Sequence, residues 1–295
     1  MECRVAPSLG ALESTHQEAW GTTEYESRNE PTVFFGLYDM RDYIALWRHS
    51  GKAWVLWAGS DLENLAKGFI FNDGKLHTLS KILRGNSWLM PTLRKATHYV
   101  ENSHELGRLV QVGLDGSIVP SFLGKIEDFP ISFEPVGYVH AYVSGHKGRE
   151  KEYGFADVEE VAGYLPDVIF HLYGAPWETE NLNVICHGEV PKEQFNKDIK
   201  DYHCGLRLNH YDGFSEITAK SILMGQYPIA RLKSPWVYKF SETSDLIPLF
   251  KKIQKKDKPN YKGREHYINK LNQYPWVSEN RKTPGIGVSI GKPEK

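Results

Sequence analysis

The stretch Arg207-Leu-Asn-His-Tyr-Asp-Gly-Phe-Ser-Glu-Ile-Thr-Ala-Lys-Ser-Ile-Leu-Met-Gly225 decides the fold. Its first residues close an apolar run, Tyr202 to Leu208, that predicts a strand. An acidic residue, a glycine, an aromatic and a serine then form a turn. Ser215 to Met224 predicts a helix, and Gly225 stands where a C-cap glycine belongs. Tyr227 to Ala230 predicts one more short strand. A glycine in such a turn lets the backbone approach a ligand closely. The helix that follows offers the positive end of its dipole to an anion.

The same alternation extends upstream. Tyr138–Val143 and Asp167–Tyr173 predict strands that run into Ser144-Gly-His-Lys-Gly-Arg149 and Gly174. Leu182–Cys186 predicts another, running into His187-Gly188. Helices are predicted over Asp157–Tyr164 and over Pro191–Asp198, the second with proline in its first turn. Strands alternating with helices give a buried parallel sheet, whose carboxyl edge binds ligands. The first half reads in the same way. Thr32–Leu37 and Ala53–Ala58 are continuous apolar runs separated by a helical pattern with Tyr43, Ile44 and Trp47 on one face. Weaker strands are predicted at Ala96–Val100 and Ser117–Pro120, with a helix over Ser103–Val112 between them.

In this order the residues resemble the C-terminal donor domain of GT-B glycosyltransferases, above all the large retaining family 4. Asp212, Gly213, Phe214 and Ser215 match the start of that family's motif, and Gly225 with Pro228-Ile229 matches its end. Asn183 to Phe195 resembles the preceding strand, glycine and helix, and Asp167 to Gly174 the strand that ends near the nucleobase. The resemblance implies an α/β fold with two Rossmann-like parallel-sheet domains facing across a cleft. The expected organisation is a loosely ordered leader over 1–30, an acceptor domain over 31–125 and a linker over 126–136. A nucleotide-sugar domain over 137–240 and a helical, basic tail over 241–295 complete it.

The resemblance also implies roles. Lys147 and Arg149 would neutralise the donor diphosphate and the charge developing on the leaving group. Asp212 would accept hydrogen bonds from sugar hydroxyls. Gly213, Phe214, Ser215 and His210 would face the donor, and Tyr173 and His187 would lie near its base. The family's ribose-binding acid is replaced by Lys220, which cannot accept those bonds. Lys220 would then contact phosphate, or Glu216 would take over the ribose. In the first half Gly36, Tyr38, Asp39, Gly59, Ser60 and Asp61 follow predicted strands. Gly36 is a candidate on the donor side. Asp61 or Asp39 would be the general base of an inverting enzyme, and a retaining enzyme needs neither. Asp61 as a helix N-cap is the structural alternative.

Composition narrows the remaining classes. The 295 residues suit two domains, and a net charge of -1 argues against a dedicated nucleic-acid binder. Cys3, Cys186 and Cys204 form no CxxC pair, which argues against a zinc or disulfide framework and fits a reducing, cytoplasmic setting. The resemblance implies a transfer that needs no metal and no cofactor beyond the nucleotide sugar, and the lack of any Asp-x-Asp argues against the metal-dependent GT-A alternative. The window Lys251–Lys270 holds seven lysines and one arginine. It reads as a solvated helix face or as a peripheral contact with anionic lipid. The partners that the resemblance implies are a nucleotide-sugar donor and a glycan or lipid-linked acceptor. A nucleotide-sugar epimerase on the same fold and a non-catalytic nucleotide-sugar-binding protein are the competing readings.

Overall fold

The computed structural model describes residues 1–12, 15–67, 88–135, 137–210, 213–271 and 273–280. The chain divides into two compact units. Unit 1 comprises residues 1–123 and 272–295, and unit 2 comprises residues 124–271.

Unit 1 holds strands β1 (Glu2–Val5), β2 (Thr23–Glu24), β3 (Thr32–Phe35), β4 (Ala53–Leu56), β5 (Thr97–Val100) and β6 (Gly116–Ile118). They form one parallel sheet in the order β2-β1-β3-β4-β5-β6. Apolar side chains alternate between its two faces. Phe34, Val55 and Val100 enter one core with Tyr43, Leu62 and Leu109, all on helices. Val33, Phe35, Trp54 and Tyr99 enter another with Trp20, Tyr274 and Trp276.

The leader expected over 1–30 is part of this sheet. β1 lies between β2 and β3, Cys3 is buried, and Trp20 packs on Phe35. Its sequence hides this because Glu2 and Arg4 alternate with Cys3 and Val5. Both charges are accounted for locally. The Glu2 carboxylate accepts from the backbone N–H of Glu26 and Ser27, and Arg4 pairs with Asp42.

Unit 2 holds β7 (Val139–Ser144), β8 (Val168–Tyr173), β9 (Val184–Gly188), β10 (Cys204–Arg207), β11 (Ile229–Ala230) and β12 (Tyr238–Lys239). Its parallel sheet runs β12-β11-β10-β7-β8-β9. Counted from its first strand, this is the doubly wound order, and it reverses between β7 and β10. The last strand expected from sequence is β11. β12 is a further strand, only two residues long, and it follows Trp236, which has φ 64°.

The basic tail expected over 241–295 is likewise integral up to residue 271. Leu246, Leu249, Phe250 and Ile253 recur at helical spacing and are buried against the sheet with Phe170 and Leu172. Lys251 and Lys252 stay exposed on the outer side of that helix. Residues 273–280 return to unit 1, where the Tyr274 hydroxyl donates to the Phe122 carbonyl. The expected linker also packs inside unit 2. Phe129 and Phe133 are buried, and the N–H groups of Ser132 and Phe133 donate to the Met224 carbonyl. No helix among the described residues is long and apolar enough to cross a membrane.

Candidate functional site

One face of the unit 2 sheet is aliphatic. Ala141, Val143, Phe170 and Leu172 pack there against the helices Phe155–Ala162 and Leu246–Ile253. By alternation along the strands, the other face carries His140, Tyr142, His171, Tyr173 and His187. These rings form a connected polar layer. His140 Nδ1 lies 3.0 Å from His171 Nε2, and His171 Nδ1 lies 2.9 Å from His187 Nε2. The Tyr202 hydroxyl is 3.1 Å from His171 Nδ1 and 2.7 Å from the Tyr173 hydroxyl, which donates to Asp198. Burial, with the neighbouring His140 and His187, pushes the His171 pKa down to about 3, so this ring is neutral at pH 7.

At the carboxyl edge the strands end in glycines that interlock. Gly145 N–H donates to the Tyr173 carbonyl at 2.9 Å, and Gly174 N–H donates to the Gly188 carbonyl at 2.7 Å. Gly174 has φ 86°, and a Cβ there would lie 2.2 Å from the Gly145 carbonyl oxygen. Gly174→Ala is therefore expected to cost about 2–3 kcal/mol through left-handed backbone strain and overpacking. Chemical denaturation of the variant checks this, and a loss under about 0.5 kcal/mol would mean that the edge is not rigid.

The predicted donor residues fall into three groups. Lys147 and Arg149 lie on the loop after β7 and are exposed. Arg149 pairs with Glu152 at 2.6 Å and lies 5.5 Å from the Tyr153 ring centre. Gly213, Phe214, Ser215 and Glu216 are half-buried and open the helix Glu216–Leu223. Ser215 caps that helix: its hydroxyl accepts from Thr218 N–H at 3.2 Å. His210 is exposed at the end of the preceding loop, and Asp212 lies outside the described residues. Lys220 is buried on the same helix. Its ammonium lies 3.7 Å from the Glu216 carboxylate and between 5.6 and 5.8 Å from the ring centres of Phe129 and Phe195. Burial pushes its pKa down while Glu216 resists.

Tyr173 and His187 are stacked on each other, with centroids 4.3 Å apart and planes 3° apart. The Tyr173 ring is buried by this contact and by the edge of Phe195, so it offers no open face to a base. Half-buried His187 is the more accessible of the two.

In unit 1, Gly36 ends β3 with φ 78°, its N–H donates to the Leu56 carbonyl, and it abuts Leu9 and Tyr38. The general-base roles expected for Asp39 and Asp61 do not fit their surroundings. Asp39 caps the helix Met40–Arg48 and pairs with Arg41. Asp61 is fully buried, and both its oxygens accept backbone N–H bonds, from Leu37 at 2.9 Å, Ala58 at 3.0 Å and Leu62 at 2.7 Å. A carboxylate enclosed in this way ties the ends of β3 and β4 together. Among the described residues, no group of three or more histidine, cysteine or acidic side chains is placed to hold a metal ion.

No family model matches the chain, and no curated protein matches its sequence. Solved structures do. The crystal structure of TarM aligns with a TM-score of 0.60 at 15% identity, covering 87% of this chain and 54% of TarM. Sucrose-phosphate synthase from Thermosynechococcus elongatus aligns at 0.59 and 10% identity over 93% of this chain and 76% of its own. Anabaena HepE aligns at 0.54 and 9% identity over 96% and 99%. The chain has the GT-B fold. It spans about half the length of TarM and of the other structures matched first.

The polar aromatic layer of this GT-B chain was not anticipated as a unit. Its signal is present as His140-x-Tyr142, His171-x-Tyr173 and Ile185-x-His187, a period of two on one face. Tyr153 and Arg207 also meet at this edge, from a loop and a strand end that are remote in sequence.

Proposed function

We propose that the chain moves a sugar from a nucleoside-diphosphate sugar to a glycan or lipid-linked acceptor, without a metal and with retention. The observation that carries this is the carboxyl edge of unit 2. Glycines, exposed Lys147 and Arg149 and a helix N-terminus meet there beside the point where the strand order reverses. A diphosphate is the ligand these groups suit: cations neutralise it, and the glycine backbone lets it approach.

The structural relatives support the same ligand class. S. aureus TarM was crystallised with UDP and alpha-GlcNAc-glycerol, pneumococcal O-GlcNAc transferase GtfA with UDP and GlcNAc, and HepE with UDP and glucose. Asp212 would accept hydrogen bonds from the donor sugar, and His187 would lie near the base. Retention, which needs no general base, fits the surroundings of Asp39 and Asp61 in unit 1. With Asp61 enclosed and Asp39 spent on a cap, neither is placed to deprotonate an acceptor. The donor phosphate then assists the incoming hydroxyl, and Arg149 and Lys147 stabilise the departing diphosphate.

A thermal-shift screen against UDP, GDP, ADP and CMP and their sugars tests the proposal. A native-state ligand at about a hundred times its Kd adds about 2.7 kcal/mol, a rise of several degrees. Silence from every nucleotide would end the reading. Buried Lys220 in place of an acid favours one alternative, a nucleotide-sugar-binding protein without activity. That alternative is chosen if a nucleotide sugar stabilises the chain but is neither transferred nor hydrolysed.

A further inference from the structure

Two arginines from different elements share one aromatic platform at the carboxyl edge of unit 2. Arg149 comes from the loop after β7, and Arg207 is the last residue of β10. Their guanidinium carbons lie 5.5 and 5.2 Å from the ring centre of Tyr153. The platform is fixed in place. Tyr153 is buried, and Gly154 presses so closely on β10 that a Cβ there would lie 2.3 Å from Leu208 Cβ. The hydrogen bond to Glu152 raises the Arg149 pKa, and the neighbouring Arg207 cation works against that rise. Glu152 neutralises Arg149 in part. Two guanidiniums converging on one ring form a paired cationic grip of the kind that suits a multivalent anion.

A second observation lies two residues along the same strand end. Asn209 is 8% exposed, and its side-chain oxygen has no hydrogen-bond donor among the described residues. A buried amide oxygen left unpaired is costly, and a ligand hydroxyl is the complementary donor. Arg207 ends β10, Asn209 follows it, and Arg149 follows β7. The doubly wound order reverses between these two strands, and ligands bind such sheets at that point.

We propose that Arg207 and Asn209 bind the phosphosugar portion of the ligand. Arg207 grips the diphosphate opposite Arg149, and the Asn209 amide oxygen accepts from a hydroxyl of the attached sugar. The assignment rests on the nucleotide-sugar reading, and it adds two contacts from β10 that the glycine turn and the β7 loop do not provide.

Calorimetric titration of the full chain with inorganic pyrophosphate, UDP and UDP-glucose tests it. Arg207→Ala should weaken pyrophosphate and UDP at least about tenfold and flatten the salt dependence of both. Arg207→Lys should recover only part of this, because an ammonium keeps the charge and loses the planar fork. Asn209→Ala should leave pyrophosphate and UDP unchanged and weaken UDP-glucose several-fold. Unchanged melting temperatures for the unliganded variants show that folding is intact. Arg207→Ala binding pyrophosphate and UDP like the parent chain overturns the Arg207 assignment, whatever becomes of the nucleotide-sugar reading. Pyrophosphate binding that needs Arg207, with UDP binding no tighter, keeps the anion site and removes the nucleotide reading. No pyrophosphate binding to the parent chain overturns the site itself.

Discussion

Replacing Asp61 by alanine should cost unit 1 about 3 kcal/mol at pH 7, and the deficit should grow as the pH falls. The carboxylate is the acceptor for the N–H groups of Leu37, Ala58 and Leu62, at the ends of two central strands and the start of a helix. Alanine would strand all three. Each stranded donor costs about 1–3 kcal/mol, or about 6 kcal/mol together at the midpoint. Removing the carboxylate also relieves a cost. Burial pushes its pKa from 3.8 up to about 6 against the backbone N–H groups that hold it down. An upward displacement of this size means that the ionised form is disfavoured in the folded chain by about 3 kcal/mol. The difference is the expected loss at neutral pH. Below pH 6 the folded parent chain takes up a proton that the unfolded chain does not take until about pH 4. Parent stability from this group therefore rises as the pH falls through that window. The variant has no such group, so the gap widens toward about 6 kcal/mol near pH 4. Urea unfolding of parent and variant at pH 7 and pH 4.5 reads both numbers. A variant as stable as the parent, or a gap that narrows in acid, rules out the clamp and reopens Asp61 as an accessible base.

Asp61 also shows what the sequence can and cannot tell. A Gly-Ser-Asp after an apolar strand is legible as a strand end followed by a helix. Whether that aspartate faces solvent or the chain's own amides depends on Leu37, which arrives from another strand. The apolar runs that became β3, β4, β7 and β8 were legible because a strand buried on both faces has to be apolar throughout. β1 was not, because a short strand with charges at alternate positions looks like a polar segment, and β12 was not, because two residues carry no period. The helical character of 241–295 was legible, but its lysines read as a solvated tail and hid that Leu246, Leu249, Phe250 and Ile253 pack into the unit 2 core. Site legibility divides in the same way. Gly213 to Ser215 and the helix they start are local and could be read. The Arg149–Tyr153–Arg207 platform depends on a loop folding back onto the end of β10, and no local pattern encodes that.

Acid should open unit 2 before unit 1, because its buried histidine lacks the counterweight that unit 1 has. His171 is held neutral down to about pH 3 by burial and by the flanking His140 and His187, against an ordinary value of 6.5. The unfolded chain binds a proton below pH 6.5 that the folded chain refuses until pH 3. Stability from this group is therefore full above pH 6.5 and falls as the pH drops. Between pH 6.5 and 4.5 the loss is about 2 kcal/mol. His140, His187 and His203 are displaced in the same direction by burial and add to it. In unit 1, His98 is held down to about 4 by burial and contributes a similar loss. His49 is displaced the same way, again by burial. There, however, Asp61 regains about 2 kcal/mol over the same range, because its pKa is raised. Most of the His98 loss is cancelled. Unit 2 should then reach its midpoint at markedly lower urea at pH 4.5 than at pH 6.5, while unit 1 moves little. Pulse-labelling hydrogen exchange, read separately on peptides of the two units, follows this directly. Replacing His171 by glutamine should remove the largest single part of the unit 2 pH dependence. If unit 1 opened first in acid, or unit 2 unfolded at the same urea concentration at both pH values, the histidine layer would not be the neutral, buried network that its 2.9–3.1 Å contacts describe.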